Sequence, residues 1–318
     1  MVNLSLSNVI SIGFSVIHDD TAAQRARTNP DEMLQNKTKM RKWRAHFGVL
    51  PVVCIDILNM FDDRDIHCKI EHLFWALIYL KSYDTEDKLA SYLSVSNKTL
   101  RQHIWKTLRQ MKGLSKDVVS FFMKKLKKVI NMHLINLFLI LFFISLQICW
   151  KNRLINHDGR EGLITVDTTD CPINEPTPFS TKNYSFKFKG PAARFEVGVA
   201  TQSSNIVWVS GPHQPHQNDL IIFRKQLKLM LDDGEKAIAD GIYRGEPNKI
   251  QRKGDASGRL DNYVARARQE TVFGEMKKYR CLTTKFRHGR LKHQDVFFSI
   301  AVLVQIQIQH KPLFEVRC

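Results

Sequence analysis

Paired cysteines are missing from this chain. Its six cysteines (Cys54, Cys68, Cys149, Cys171, Cys281 and Cys318) contain no C-x-x-C pair. That argues against a zinc ribbon or a disulfide scaffold and for free thiols in a reducing compartment. No basic n-region precedes the mildly apolar first fifteen residues, so a secretory signal is not expected. Acidic side chains are scarce: 31 Asp and Glu stand against 48 Lys and Arg, a formal net charge of +17. Such an imbalance points to a polyanionic partner, either nucleic acid or an acidic membrane surface, and carries no information about fold. Between Val129 and Trp150 formal charge is absent for 22 residues.

What is present suits a folded protein of probable two-domain size: 318 residues, 43% apolar and 25% charged. The charge is uneven. Residues 1–100 hold 12 basic and 12 acidic side chains, and residues 101–128 hold 9 and 1. Residues 151–318 hold 27 and 18. Two separate basic surfaces are expected. Residues 1–45 read as a polar, basic, poorly ordered segment. Its run KTKMRKWR (Lys37 to Arg44) is either a nuclear-import or phosphate-contacting stretch or a solvated surface.

Residues 46–128 read as helical. VLPVVCIDILNMF and IEHLFWALIYLK carry apolar residues at helical spacing. In the next stretch, Thr85 followed by Glu86 and Asp87 suits a helix start, with Leu89, Ala90 and Leu93 as its apolar face. Ser94 to Asn97 form a short turn, and Thr99 can cap a second helix bearing Leu100, Ile104 and Leu108. Two short helices around a tight turn, the second one basic, outline a helix-turn-helix. In such a module Lys98, Arg101, Gln102 and Lys106 face DNA; the alternative is a helical hairpin inside a bundle.

From Leu163 the pattern changes to strands: LITVDTT, YSFKFK (Tyr184 to Lys189), then RFEVGVAT and IVWVSG as a hairpin around QSSN. NDLIIFRKQLKLMLDD has helical spacing, and KAIAD is a strand ending at Asp240. Glu246 to Leu260 reads as a loop, Asn262 to Tyr279 as a helix, and HQDVFFSIAVLVQIQIQ as a buried last helix. The class is mixed α/β.

Carboxylates at element ends stand out. Asp167 ends the first strand and Asp240 the strand after the long helix, while Glu270 lies on a basic helix. On that helix Arg266, Phe273, Gly274 and Lys277 share a face with Glu270. The apolar Phe273 suggests that this face turns inward, where Glu270 pairs with either Arg266 or a divalent cation. Taken singly, Asp167 can be read as capping a turn, and Asp240, followed by Gly241, is better read as a turn residue. Together, three acids converging at a sheet edge can hold two Mg²⁺ or Mn²⁺ ions, because hard cations prefer carboxylate oxygen. Asp219 reads as a helix cap and Asp170 as a supporting residue rather than a ligand. His213 and His216 lack a completing zinc pattern and read as loop residues.

VDTTDCPI, ADGIYRGEP and ARARQETVFGEMKKYR resemble the three acidic blocks of DDE-superfamily transposases, closest to Harbinger-like and related insertion-sequence endonucleases. The resemblance spans about residues 151–314. It implies an α/β catalytic domain of ribonuclease H-like type, a mixed sheet flanked by helices over 151–318, preceded by an all-α helix-turn-helix region. It implies a catalytic and metal-binding triad of Asp167, Asp240 and Glu270, using Mg²⁺ or Mn²⁺ to cut and join DNA in the nucleus. Arg266, Arg268, Lys277, Lys278 and Arg280 would hold the DNA backbone beside it, or else form a solvated basic face. The partners it implies are double-stranded DNA (transposon ends and target), a second copy of the chain, and an accessory DNA-binding protein. Two positions depart from the pattern. Thr168 stands where the family has Gly, and Ile242 where a small or polar residue is usual. An alternative outcome is an inactive or domesticated DNA-binding relative.

The uncharged segment 129–150 is long enough to span a bilayer and follows Lys124, Lys125, Lys127 and Lys128. A soluble nuclease gains nothing from a span there. The favoured reading is a translated intron, ahead of a buried helix and a membrane span. Sequencing the transcript checks this: a message lacking those codons is the expected result.

Overall fold

The computed structural model describes residues 5–115, 148, 150–156, 159, 161–178, 180–203, 205–252 and 259–313, the side chains of 259–262 aside. Residues 116–128, with which the helical region was expected to end, and nearly all of the uncharged segment 129–150 lie outside the described residues. Among the described residues no single helix is long and apolar enough to cross a membrane. The chain divides into two compact units. One comprises Met1–Leu114, Lys277–Thr283 and Asp295–His310; the other comprises Ser115–Met276, Thr284–Gln294 and Lys311–Cys318.

The first unit is all helical: α1 Leu6–Val16, α2 Asp20–Thr28, α3 Pro30–Gln35, α4 Lys37–Phe47, α5 Pro51–Asp62, α6 Ile70–Ser82, α7 Glu86–Tyr92 and α8 Asn97–Leu114. The expectation of a poorly ordered residue 1–45 segment is corrected here. Polar residues in this stretch act as caps: Ser5, Asp19, Asn29 and Asn36 each accept a hydrogen bond from a backbone N–H three residues on. Such caps satisfy helix-end donors that have no partner inside the helix. Gly48, in the left-handed region at φ 79°, ends α4, and Pro51 starts α5. The core of this unit is Trp43, ringed by Phe14, Phe47 and Phe74 at 4.6–5.5 Å between centroids. Gly13 lets α1 approach it, since a Cβ at that position would lie 2.3 Å from the indole.

The basic run Lys37–Arg44 is therefore a packed helix rather than a free surface stretch. Met40 and Trp43 are buried, and Lys39 and Lys42 both reach Asp19 at 2.9 Å. Burial works against the charge on Asp19, but bonds from Lys42, Lys39 and the Ala22 N–H win and hold its carboxyl at about 2.

Helices α7 and α8 follow the expected outline, with Leu89, Ala90, Leu100, Ile104 and Leu108 buried. Thr85 caps α7. Ser96, not Thr99, caps α8: its Oγ accepts from the Thr99 N–H at 3.1 Å. The distal part of the last helix also belongs to this unit. Ser299 Oγ donates to Leu108 O at 2.9 Å, Lys112 pairs with Asp295 at 2.8 Å, and His310 meets Asp56 at 2.5 Å. Residues 277–283 and 295–310 are thus drawn out of the catalytic domain that was expected to span 151–318.

The second unit is built on a six-stranded mixed sheet. Its strands are β1 Gly162–Pro172, β2 Tyr184–Ser185, β3 Gly190–Ala200, β4 Ile206–His213, β5 Lys236–Ala239 and β6 Ile250–Arg252. β1 lies between β3, antiparallel, and β5, parallel; β4 pairs with the far edge of β3, and β6 runs parallel to β5. β6 falls within the predicted loop 246–260. Residues 186–189, predicted as strand, form a turn. The helices are α9 Asp219–Lys225, α10 Arg259–Lys277 and α11 Arg290–His310.

Side chains alternate across a strand, so β1 serves two layers. Ile164 and Val166 join Trp208, Phe223, Leu227, Ala237, Ala239 and Tyr243 in one apolar cluster with α9. Thr165 and Asp167 point to the opposite face, where α10 lies. Its buried stripe is Ala265, Gln269, Val272, Phe273 and Met276. Gln269 locks helix to sheet: its Oε1 accepts from Thr165 Oγ1 at 2.8 Å and its Nε2 donates to Val197 O at 3.2 Å. Gln269→Ala removes both of these buried helix–sheet bonds, leaving Thr165 Oγ1 only its bond to Val199 O at 3.2 Å, and is expected to cost about 1–3 kcal/mol. Glu270→Ala, one residue on and exposed, should stay within about 0.5 kcal/mol. Urea unfolding of both variants checks the contrast.

Candidate functional site

The parallel register of β1 and β5 brings two acids together. Ile164 pairs with Ala237 and Thr165 with Ile238. Continued two residues beyond that ladder, the register sets Asp240, just past the end of β5, on the same face as Asp167, and the charge of Asp240 acts on that acid. β5 stops at Ala239, so the chain turns away and opens this end of the sheet. Carboxyl ends of parallel strands are where open α/β sheets bind ligands. Asp167 does not end its strand as expected, because β1 runs on to Pro172. Its carboxylate is oriented by the Thr168 N–H at 2.7 Å, and that of Asp240 by the Ile242 N–H at 2.9 Å. The turn role and the site role of Asp240 coexist. The Ile242 side chain is exposed.

Burial pushes the Asp167 carboxyl up to about 6. The Thr168 N–H and the Arg266 guanidinium resist this, while the charges of Asp240 and Asp219 add to it. Arg266 Nη2 lies 3.8 Å from Asp167 Oδ2, and its Nη1 is buried without a partner. Arg266 therefore faces the acid rather than an outside phosphate.

Glu270 follows one turn after Arg266 and is exposed, which corrects the expected inward orientation. The stripe centred on Gln269 and Val272 occupies the sheet face. Phe273 falls inside that stripe, whereas Glu270, Gly274 and Lys277 rotate beyond its edge. The structure thus joins Asp167 and Asp240. Among the described residues no group of three His, Cys, Asp or Glu is close enough to hold a metal ion.

A second set of charges lies behind β1, on the α9 face. Asp219 does not cap α9; Asn218 does, accepting from the Ile221 N–H. Asp219 instead accepts from Thr168 Oγ1 at 2.8 Å and from Arg194 Nη1 at 2.9 Å. The threonine that departs from the family pattern thus supplies a hydroxyl to an acid. Arg194 also grips Asp170 through two bonds of 2.7 and 2.9 Å. Burial pushes Asp219 up against the bonds from Thr168 and Arg194.

Glu196, opposite Thr168 in register, is fully buried and pushed by that burial up to about 8, although Trp208 Nε1 donates to it at 2.8 Å. Tyr243 is 1% exposed and its hydroxyl has no partner. Burial raises its pKa strongly, and the charges of Glu196, Asp219, Asp167 and Asp240 add to the rise. Sequence reasoning missed Arg194, Glu196 and Tyr243. The visible signal for Glu196 was a lone acid inside the apolar run RFEVGVA.

The expected DNA contacts divide. Lys98, Arg101, Gln102 and Lys106 are all exposed on α8, with Arg101 paired to Glu86 at 2.5 Å. Lys277, Lys278 and Arg280 are exposed and belong to the helical unit. Arg268 is corrected: it is 3% exposed and donates to Thr201 O, so it serves the fold. His213 bonds Ser210 Oγ through Nε2 at 2.8 Å, and His216 meets Lys182 O at 3.0 Å.

A carboxyl raised on folding contributes stability below its unfolded pKa and loses it as pH climbs through the folded value. For Asp167 that loss runs from about pH 4 to past pH 6. Asp167→Asn should therefore melt near wild type at pH 4 and increasingly above it by pH 7.5, as read by scanning fluorimetry across the range. Compared with known proteins, the chain matches no family model, no curated protein and no solved structure.

Proposed function

We propose that this chain is a transposase-like DNA endonuclease and strand transferase of the DDE superfamily, with a ribonuclease H-like catalytic unit behind a helix-turn-helix region. The observation that carries the reading is the parallel β1–β5 register, which, continued past Thr165–Ile238, sets Asp240 beside Asp167, close enough for its charge to act on that acid, with α10 bonded across the same face. The strand order β4-β3-β1-β5-β6 adds support, with β3 antiparallel and β5 and β6 parallel to β1. So does the excess of basic side chains, suited to a DNA backbone whose binding weakens with salt.

The donors suit Mg²⁺ or Mn²⁺. They are hard carboxylate oxygens, and a cation beside them would offset the burial that raises Asp167 by stabilising its ionised form. Asp167 and Asp240 would hold the metal, with Glu270 the third acid the reading requires. The chemistry a two-metal centre supplies is activation of a water or 3′-hydroxyl and stabilisation of the leaving oxygen. The chain's own contribution is orientation: the Thr168 and Ile242 N–H groups aim the two carboxylates, and Arg266 balances their charge. Exposed Lys98, Arg101, Gln102 and Lys106 would meet double-stranded DNA, with Lys277, Lys278 and Arg280 as further phosphate contacts. A second copy, an accessory DNA-binding protein and a nuclear location belong to the same reading.

One observation favours a second reading, an inactive DNA-binding relative. Arg266 already faces Asp167, while Glu270 is exposed and outside any three-acid group among the described residues. Supercoiled-plasmid nicking separates the two. The nuclease reading expects nicking with Mg²⁺ or Mn²⁺ that drops at least about 100-fold in Asp240→Asn, in line with losing a catalytic charge-stabilising group. Salt-sensitive binding without nicking under either ion supports the relative.

A further inference from the structure

The hairpin joining β2 to β3 carries aromatic rings where a soluble surface rarely has them. Phe186 is 83% exposed and Phe188 49%. Both sit on the four-residue turn Phe186–Lys189, between the paired residues Ser185 and Gly190. Tyr184 packs edge-on against Phe186, with ring centroids 5.5 Å apart. Lys187 and Lys189 alternate with the phenylalanines, and Lys182 precedes them; all three are exposed, with no ion pair among the described residues. From Pro176 to Phe195 the sequence has no Asp or Glu.

The turn is anchored. Ser185 Oγ donates to Asp170 Oδ2 at 2.5 Å and accepts from the Phe188 N–H at 3.1 Å. Asp170 is gripped by Arg194 and lies three residues beyond Asp167 on β1. The rings are therefore held out from the Pro172 end of β1, the strand that bears Asp167.

Exposed aromatics interleaved with lysines are the chemistry that takes unpaired nucleic acid: bases stack on rings while cations follow the phosphates. A closed duplex offers this surface only phosphate, because its bases are already stacked. We propose that the Tyr184–Gly190 hairpin is a stacking platform for unpaired bases of DNA, held at the Pro172 end of β1. This rests on the nucleic-acid reading above but not on cleavage.

The test uses the full chain in EDTA, with a 2-aminopurine single strand and the matching duplex. Wild type should bind the single strand more tightly and change its fluorescence. Phe186→Ala with Phe188→Ala should weaken single-strand binding about ten-fold or more and abolish that change, with the melting temperature and duplex affinity unaltered. Lys187→Gln with Lys189→Gln should weaken binding and flatten its salt dependence, yet keep the fluorescence change at saturation. Unchanged single-strand affinity in the phenylalanine variant, with duplex binding intact, overturns the platform alone. Failure to bind either oligonucleotide defeats the nucleic-acid reading and the platform together. Wild-type binding to phosphatidylserine vesicles, or a dimer, that is lost in the phenylalanine variant while single-strand binding persists also overturns it.

Discussion

Carboxylates gathered around one strand are the constraint on which the second unit depends. Asp167, Asp170, Asp219, Glu196 and Asp240 lie on β1 or on elements packed against it, and burying such charges unpaired would cost several kcal/mol each or more. The structure meets that cost differently at each position. Asp170 and Asp219 share Arg194. Glu196 is raised by burial to about 8, which favours its neutral form, and Trp208 Nε1 donates to its Oε2. Asp240 stays half-exposed at the strand end. Asp167 is compensated by one backbone N–H and a guanidinium at 3.8 Å. It is the raised acid at the open end of the sheet, where a ligand can complete it.

The same economy explains α10. A helix that crosses a sheet presents a stripe, and the residues at its centre must be apolar or fully bonded. Gln269 qualifies because both ends of its amide find partners. Arg268 qualifies because a carbonyl at the end of β3 takes its guanidinium. Arg266 borders the stripe and meets Asp167, while Glu270 lies beyond the edge in water. One basic, acid-bearing sequence block thus yields a structural arginine, a site arginine and a solvent-facing glutamate within five residues.

The helical unit shows how far polar composition can mislead. The first 45 residues look too polar to pack, yet their Ser, Asp and Asn side chains are capping groups, and two lysines of the basic run are committed to Asp19. Their small number of large apolar residues (Phe14, Met40 and Trp43 among them) falls at positions that converge on one core. By contrast, the hydrophobic spacing of α5 to α8 and the turn before Asn97 were legible, because they are local patterns of period and cap.

By itself, the sequence determined the mixed α/β class, the two-helix outline around residues 86–114 and the β3–β4 hairpin, since each rests on periodicity, turn chemistry or residue spacing within about twenty positions. It also singled out Asp167 and Asp240, although Asp167 proves to lie within β1 and only Asp240 follows a strand end. Only the tertiary structure decided that these two become neighbours, because that depends on the register between strands about seventy residues apart. It alone turned Glu270 outward, gave Thr168 to Asp219 and set Tyr243 behind the acids. Helix rotation and strand register are properties of packing between distant segments, and no local pattern encodes them.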